Sequence, residues 1–194
     1  MQPIILILAF AFVALFAATP ALAQRRVPDA GMLGAGASVG VTVPTDFSVD
    51  SGLAVGGTIE GYLTPRLSVR GQLYTAWWDF QPLQGLVGSV RPTFVVGHLV
   101  YNWERGAVHP YVTVGGGMYR YAIERVVSSR STVNATDTHR GLNLGGGFEY
   151  FLRRRETMTV ELLYHRVGEL ASPLAFTNGT FWSFAIGLKA SVGR

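Results

Sequence analysis

A chain of 194 residues, 48% of them hydrophobic and 14% charged, has the length of one domain. Its net charge of +4 comes from 16 basic and 12 acidic residues with no basic run interleaved with aromatics, which argues against nucleic acid as a partner. It has no cysteine, so it holds neither a disulfide framework nor a thiolate metal site.

Residues 1–23 read as a cleaved signal peptide: an apolar stretch from Ile4 to Ala18 precedes Pro20-Ala21-Leu22-Ala23, which meets the small-residue cleavage rule before Gln24. Residues 24–31 are then a short N-terminal tail. From residue 32 to 194 no apolar run is long enough for a transmembrane helix, and hydrophobicity alternates with a period of two, which is how a strand with one oily face is written. The first predicted strand, Leu33 to Val43, sets Leu33, Val39 and Val41 against Gly34, Ser38 and Thr42. After a loop from Pro44 to Gly52, the second, Leu53 to Leu63, sets Val55 and Ile59 against Thr58 and Glu60. Thr64-Pro65-Arg66 makes a tight turn. The third strand, Leu67 to Trp78, puts Val69, Leu73 and Trp77 on one face and Ser68, Arg70, Gln72 and Tyr74 on the other.

A loop from Asp79 to Arg91 leads to the fourth strand, Thr93 to Trp103, and Glu104-Arg105-Gly106 turns the chain into the fifth, His109 to Ile123. The polar segment Glu124 to Thr138 is the longest predicted loop. The sixth strand, Arg140 to Phe151, and the seventh, Thr157 to Val167, are joined by the turn Leu152 to Glu156. Past the loop Gly168 to Gly179, the eighth runs from Thr180 to Val192, where Trp182, Phe184, Ile186 and Leu188 alternate with Ser183, Ala185, Gly187 and Lys189.

The connections alternate long and short, and this predicts an all-β fold: an eight-stranded antiparallel up-and-down transmembrane β-barrel spanning residues 32–194. It would sit in the bacterial outer membrane as a monomer, with the tail at 24–31 in the periplasm and four longer loops outside. By parity Trp77, Tyr164 and Trp182 form an outer aromatic girdle and Tyr101, Trp103 and Tyr150 an inner one. Glu60, Arg70, His98, Glu149, Glu161, His165 and Lys189 all take the opposite parity. An Arg or Lys facing lipid at mid-depth costs about 2–4 kcal/mol, so these groups belong in the lumen. Eight strands leave only room for side chains. Glu60 with Arg70, and Glu161 with Lys189, are the expected ion pairs.

His109-Pro110-Tyr111-Val112-Thr113-Val114-Gly115-Gly116-Gly117 and Asn143-Leu144-Gly145-Gly146-Gly147-Phe148-Glu149-Tyr150, together with the eight alternating segments, resemble the small outer-membrane β-barrels of the OmpA transmembrane-domain type. The resemblance implies insertion by the barrel-assembly machinery. Members of that family often end in an aromatic residue, whereas this sequence ends Ser191-Val192-Gly193-Arg194.

No cofactor or metal is expected: His98, His165, Glu149 and Glu161 lie on three strands without diagnostic ligand spacing. The two Gly-Gly-Gly runs precede no helix, so they read as relief of crowding rather than as a phosphate cradle. Tyr164-His165 faintly resembles the lipid A 3-O-deacylase family, whose motif places Ser and Asn where Val167 and Gly168 stand, so the nucleophile is missing. Arg120 and Arg166 face lipid near the outer rim and Arg125, Arg130 and Arg140 flank the third loop, a set that suits phosphates of an outer-membrane lipid such as lipopolysaccharide. The expected function is therefore a non-enzymatic envelope protein with a filled polar lumen and four loops for surface contacts. A lipid A-modifying barrel and a soluble lipocalin-like carrier are the alternatives, and a small porin is the least favoured.

Overall fold

The computed structural model describes residues 28–46, 48–81, 87–103, 106–128, 131–153, 155–168 and 178–193, among which there is no helix. The signal peptide expected at 1–23 and residues 24–27 of the tail lie outside the described residues. The strands are β1 (Leu33–Pro44), β2 (Gly52–Tyr62), β3 (Leu67–Ala76), β4 (Trp78–Asp79), β5 (Val87–Asn102), β6 (Val108–Ser128), β7 (Ser131–Phe151), β8 (Glu156–Val167) and β9 (Phe181–Val192). β4 continues β3 past Trp77, so the wall has eight long strands, each antiparallel to its neighbours. Pairing of β1 with β9, from Leu33↔Val192 to Pro44↔Phe181, closes the sheet and leaves the wall no free edge.

Following register partners once around the wall, Leu33 leads to Gly61, Val69, Leu99, Val114, Leu144, Tyr164, Trp182 and back onto β1 at Val43, ten residues beyond the start. That stagger has to be even, because an odd one would join an outward face to an inward face at the seam. Ten residues of stagger over eight strands tilt the strands by roughly 40°. Ten residues of such a strand rise roughly 25 Å, the height of the apolar band of a membrane barrel. The residues on this circuit face outward, where Leu33, Val69, Leu99 and Leu144 are largely exposed.

Exposure of that many apolar side chains is unfavourable in water and favourable in hydrocarbon, which fixes which face meets lipid. Val39 is 63% exposed at mid-height on β1. Val39→Arg should cost about 2–4 kcal/mol of folding free energy in vesicles, read from the urea midpoint, whereas Thr132→Arg on the solvated hairpin should cost less than about 1 kcal/mol.

Two segments differ from the sequence expectation. The longest predicted loop, Glu124 to Thr138, is mostly the far end of the β6–β7 hairpin, with Glu124 opposite Asn134 and Val126 opposite Thr132. β5 likewise begins at Val87, inside the predicted second loop, with Val90 opposite Trp78. Val126, Thr132, Val133, Thr136 and Thr138 are β-branched residues that suit a strand. Beyond the rim both faces of the hairpin carry polar residues, so the alternation that marked the other strands is lost there.

The inward face of β1 carries Gly34, Gly36, Ser38 and Gly40, which contribute almost no volume. A Cβ on Gly36 would lie 3.0 Å from the Lys189 Cα. The lumen is thereby left for long side chains from the other strands.

Candidate functional site

The lower lumen is an ionic cluster. Glu60 and Arg70 are direct register partners on β2 and β3, and Arg70 reaches three carboxylates: Nη2 lies 3.1 Å from Glu60 Oε2 and 2.7 Å from Glu149 Oε1, and Nη1 lies 2.9 Å from Glu161 Oε2. Lys189 Nζ donates to Glu60 Oε2 at 2.5 Å, Glu149 Oε1 at 2.7 Å and the Tyr62 hydroxyl at 2.6 Å. The expected Glu161–Lys189 pair is not formed. On β8 and β9 the partner of Glu161 is Ala185 and that of Lys189 is Thr157, so the two stand four residues apart along the strands and bond other groups.

Glu161 instead accepts from Arg70, from the Tyr111 hydroxyl at 2.9 Å and from Gln72 Nε2 at 2.8 Å. The Arg70 guanidinium lies over the Tyr111 ring, 4.8 Å from its centroid. Charged groups taken from water need their hydrogen-bonding capacity filled, and the tyrosines, Gln72 and Ser68 do much of that here. Parity places Tyr62 and Tyr111 on the inside, but a charge-based reading of the sequence passes over them.

Gly147 makes room for this arrangement. A Cβ there would lie 2.0 Å from the Val160 carbonyl oxygen and 2.8 Å from the Tyr111 hydroxyl. Gly147→Ala should destabilise the barrel by about 1–3 kcal/mol, measured as a lowered urea midpoint, because backbone and Tyr111 must both shift.

The upper lumen is aromatic, where a polar filling was expected. Trp78, Phe94, Tyr119, Tyr121 and Phe181 are all at most 2% exposed. Trp78 Nε1 donates to Thr42 Oγ1 at 2.7 Å and the Tyr121 hydroxyl donates to the Gly179 carbonyl at 2.6 Å. His98, the register partner of Arg70, borders the ionic cluster, whereas His165 belongs to the aromatic layer. His98 Nδ1 is 3.2 Å from Thr113 Oγ1. His165 stacks on Phe181, centroids 4.3 Å apart, with Nδ1 2.9 Å from the Tyr119 hydroxyl and Nε2 2.8 Å from Ser183 Oγ.

Ser183 thus supplies from β9 the hydroxyl beside His165 that the sequence spacing lacked, since a cross-strand diagonal is invisible in a linear motif. The pair is enclosed: His165 is fully buried, and the cavity bordering Ser183 has a volume of about 10 Å³. A second lumen cavity, beside Arg70 and Gln72, is about 20 Å³, the scale of a single water. Neither admits an acyl substrate. Among the described residues no three His, Asp or Glu side chains are grouped to hold a metal ion.

No protein-family model and no curated protein matches the sequence. Solved structures match in fold. OprG from Pseudomonas aeruginosa is 17% identical with a TM-score of 0.65, over 88% of this chain and 100% of that one. Neisserial surface protein A, NspA, is 12% identical with a TM-score of 0.62, over 83% and 97%. Ail of Yersinia pestis is 13% identical with a TM-score of 0.58, over 84% and 99%. The chain folds as a small outer-membrane β-barrel.

On the outside of the barrel, Trp77 and Trp182 are exposed and Tyr164 half-buried at the end bearing the longer connections, while Tyr101, Trp103 and Tyr150 are exposed at the other. Tyr164 packs on Trp182 and Tyr101 on Trp103, with centroids 4.9 and 5.1 Å apart. Arg120, Arg140 and Arg166 are exposed on the outward face, Arg125 takes the inward parity above the rim and is half-buried, and Arg130 lies outside the described residues.

Proposed function

We propose that this protein is a non-enzymatic, monomeric outer-membrane component whose barrel is a sealed anchor and whose outer connections meet the surroundings of the cell. The observation that carries this reading is the coexistence of a filled lumen with an apolar outer belt roughly 25 Å high. A lumen packed with Arg70, Lys189 and their carboxylates below, and with Trp78, Phe94 and Phe181 above, supports anchoring over permeation. The enclosure of His165 and Ser183 supports a structural role for them over acyl transfer. The β6–β7 hairpin supports a contact role: past Gly141, opposite Val167, β7 continues for ten residues, roughly 30 Å of strand. In this reading the termini are periplasmic, and the barrel-assembly machinery inserts the chain by the outward run Trp182, Phe184, Ile186 and Leu188.

Cell fractionation combined with heat-modifiable gel mobility tests the proposal, with an epitope inserted between Ser128 and Ser131. The expected result is an outer-membrane protein whose unboiled form migrates faster and whose epitope is detected on intact cells. Solubility without detergent would return the lipocalin-like alternative, and single-channel conductance far above background would contradict the sealed lumen.

A further inference from the structure

Arg120, Arg140 and Arg166 occupy consecutive strands β6, β7 and β8 at the same rim. Arg140 is opposite Met118 and Arg166 opposite Leu142, so each arginine is two residues off its neighbour's direct partner. Such diagonal neighbours stand roughly 7–8 Å apart. None of the three makes an ion pair or side-chain hydrogen bond among the described residues. Three unpaired guanidinium groups at that spacing, where an apolar wall meets water, form a concentrated anion-binding surface.

Directly below them the wall is furrowed. An apolar groove of about 820 Å³ crosses the outward side of β6 to β9, from Trp182 on the arginines' side past Leu144, Gly146 and Leu162 to Pro110 and Trp103 at the opposite end. Its floor is low because Gly146, between Val112 and Leu162 in register, carries no side chain. The same outward columns hold both features: Arg140 is followed by Leu142, Leu144 and Gly146 on β7, and Arg166 is preceded by Tyr164 and Leu162 on β8. A second groove of about 760 Å³, between Val39, Val55, Ile186 and Leu188, has only apolar residues above it, Val41 and Val43 on β1 and Leu53 on β2. Roughness alone therefore does not bring arginines with it.

We infer that the outward face of β6 to β9 binds a phosphate-bearing, acylated lipid of the outer leaflet, with Arg120, Arg140 and Arg166 on the phosphate oxygens and an acyl chain in the Gly146 groove. The inference rests on the membrane reading above and adds a ligand to it. Guanidinium groups take phosphate bidentately, and Trp182 lies at the depth where headgroup meets chain. Arg91 on β5, opposite Ala122, continues the same diagonal row beyond Arg120 but stands over no groove, and it serves as the comparison residue.

Trp182 lining the groove provides the readout. The full barrel carrying Trp77→Phe and Trp103→Phe, in which the one other tryptophan, Trp78, is buried in the lumen away from lipid, is folded into phosphatidylcholine vesicles containing either phosphatidic acid or phosphatidylcholine with brominated acyl chains, and quenching of Trp182 fluorescence is titrated. Phosphatidic acid should quench at lower mole fraction, by a factor on the order of ten. That preference should vanish in R120Q/R140Q/R166Q and survive in R91Q. Equal quenching by both lipids overturns the inference, as does a preference that persists in the triple variant. Heat-modifiable mobility of each variant separates these outcomes from a failure of the membrane reading, in which the parent barrel would not insert at all.

Discussion

Arg70→Met is expected to lower the unfolding free energy of the barrel by about 3–5 kcal/mol, seen as a large drop in urea midpoint in vesicles or as loss of the heat-modifiable band. Arg70 touches Glu60, Glu149 and Glu161, and all four side chains are at most 7% exposed. Methionine keeps most of the aliphatic stem, so what is lost is the guanidinium, with its ion pairs and its contact over the Tyr111 ring. Three carboxylates would then face Lys189 alone, without water to screen them. Among the described residues Arg70 is the one cation within salt-bridge distance of Glu161. Arg70→Met combined with Glu161→Gln should accordingly regain about 1–2 kcal/mol relative to Arg70→Met. An unchanged midpoint for Arg70→Met would mean that the carboxylates are hydrated in the lumen.

Phe181→Ala should cost a similar amount, about 3–5 kcal/mol by the same urea measurement. Its ring is fully buried, stacks on His165 and lies 5.4 Å by centroid from both Trp78 and Phe94. Truncation leaves a void that rigid strands on every side cannot close. Trp182→Ala, one residue on and facing outward, should cost much less, because lipid fills the space it leaves. A Phe181→Ala barrel as stable as the parent would place this ring outside the load borne by the upper lumen.

The contrast between Phe181 and Trp182 also explains what the sequence made legible. Period-two alternation assigns each residue to a face, and placing the charges inside follows from the cost of a cation in hydrocarbon. That is enough for the strand order, for the closure of β1 on β9, and for the inward positions of Glu60, Arg70 and Lys189. It is not enough for partners. Glu161 sits on a strand adjacent to that of Lys189, yet the stagger of ten carries Lys189 toward Glu60 and Glu149 on other strands. Which side chains meet across a lumen depends on tilt and register, and neither is written in a single strand.

The same limit hid the proximity of Ser183 to His165, and it hid the aromatic half of the lumen. Phe94, Tyr119 and Phe181 have the parity of charges but the chemistry of a lipid face, so the pattern alone gave them no role. The hairpin was missed for the opposite reason. Beyond the rim no hydrocarbon selects one face, and Glu124 to Thr138 reads as polar loop although its β-branched residues pair as strands.

Site-directed spin labelling in vesicles tests most directly which side of this wall meets lipid. Labels placed singly at Val39, Leu99, Leu144 and Leu162 should collide with dissolved oxygen and be shielded from a water-soluble nickel complex, with the oxygen signal greatest at mid-height. A label replacing Ser38 or Thr113, one residue out of phase, should be shielded from both. Nickel access at the first four positions, with oxygen-rich surroundings at Ser38 and Thr113, would contradict the account by turning the barrel inside out.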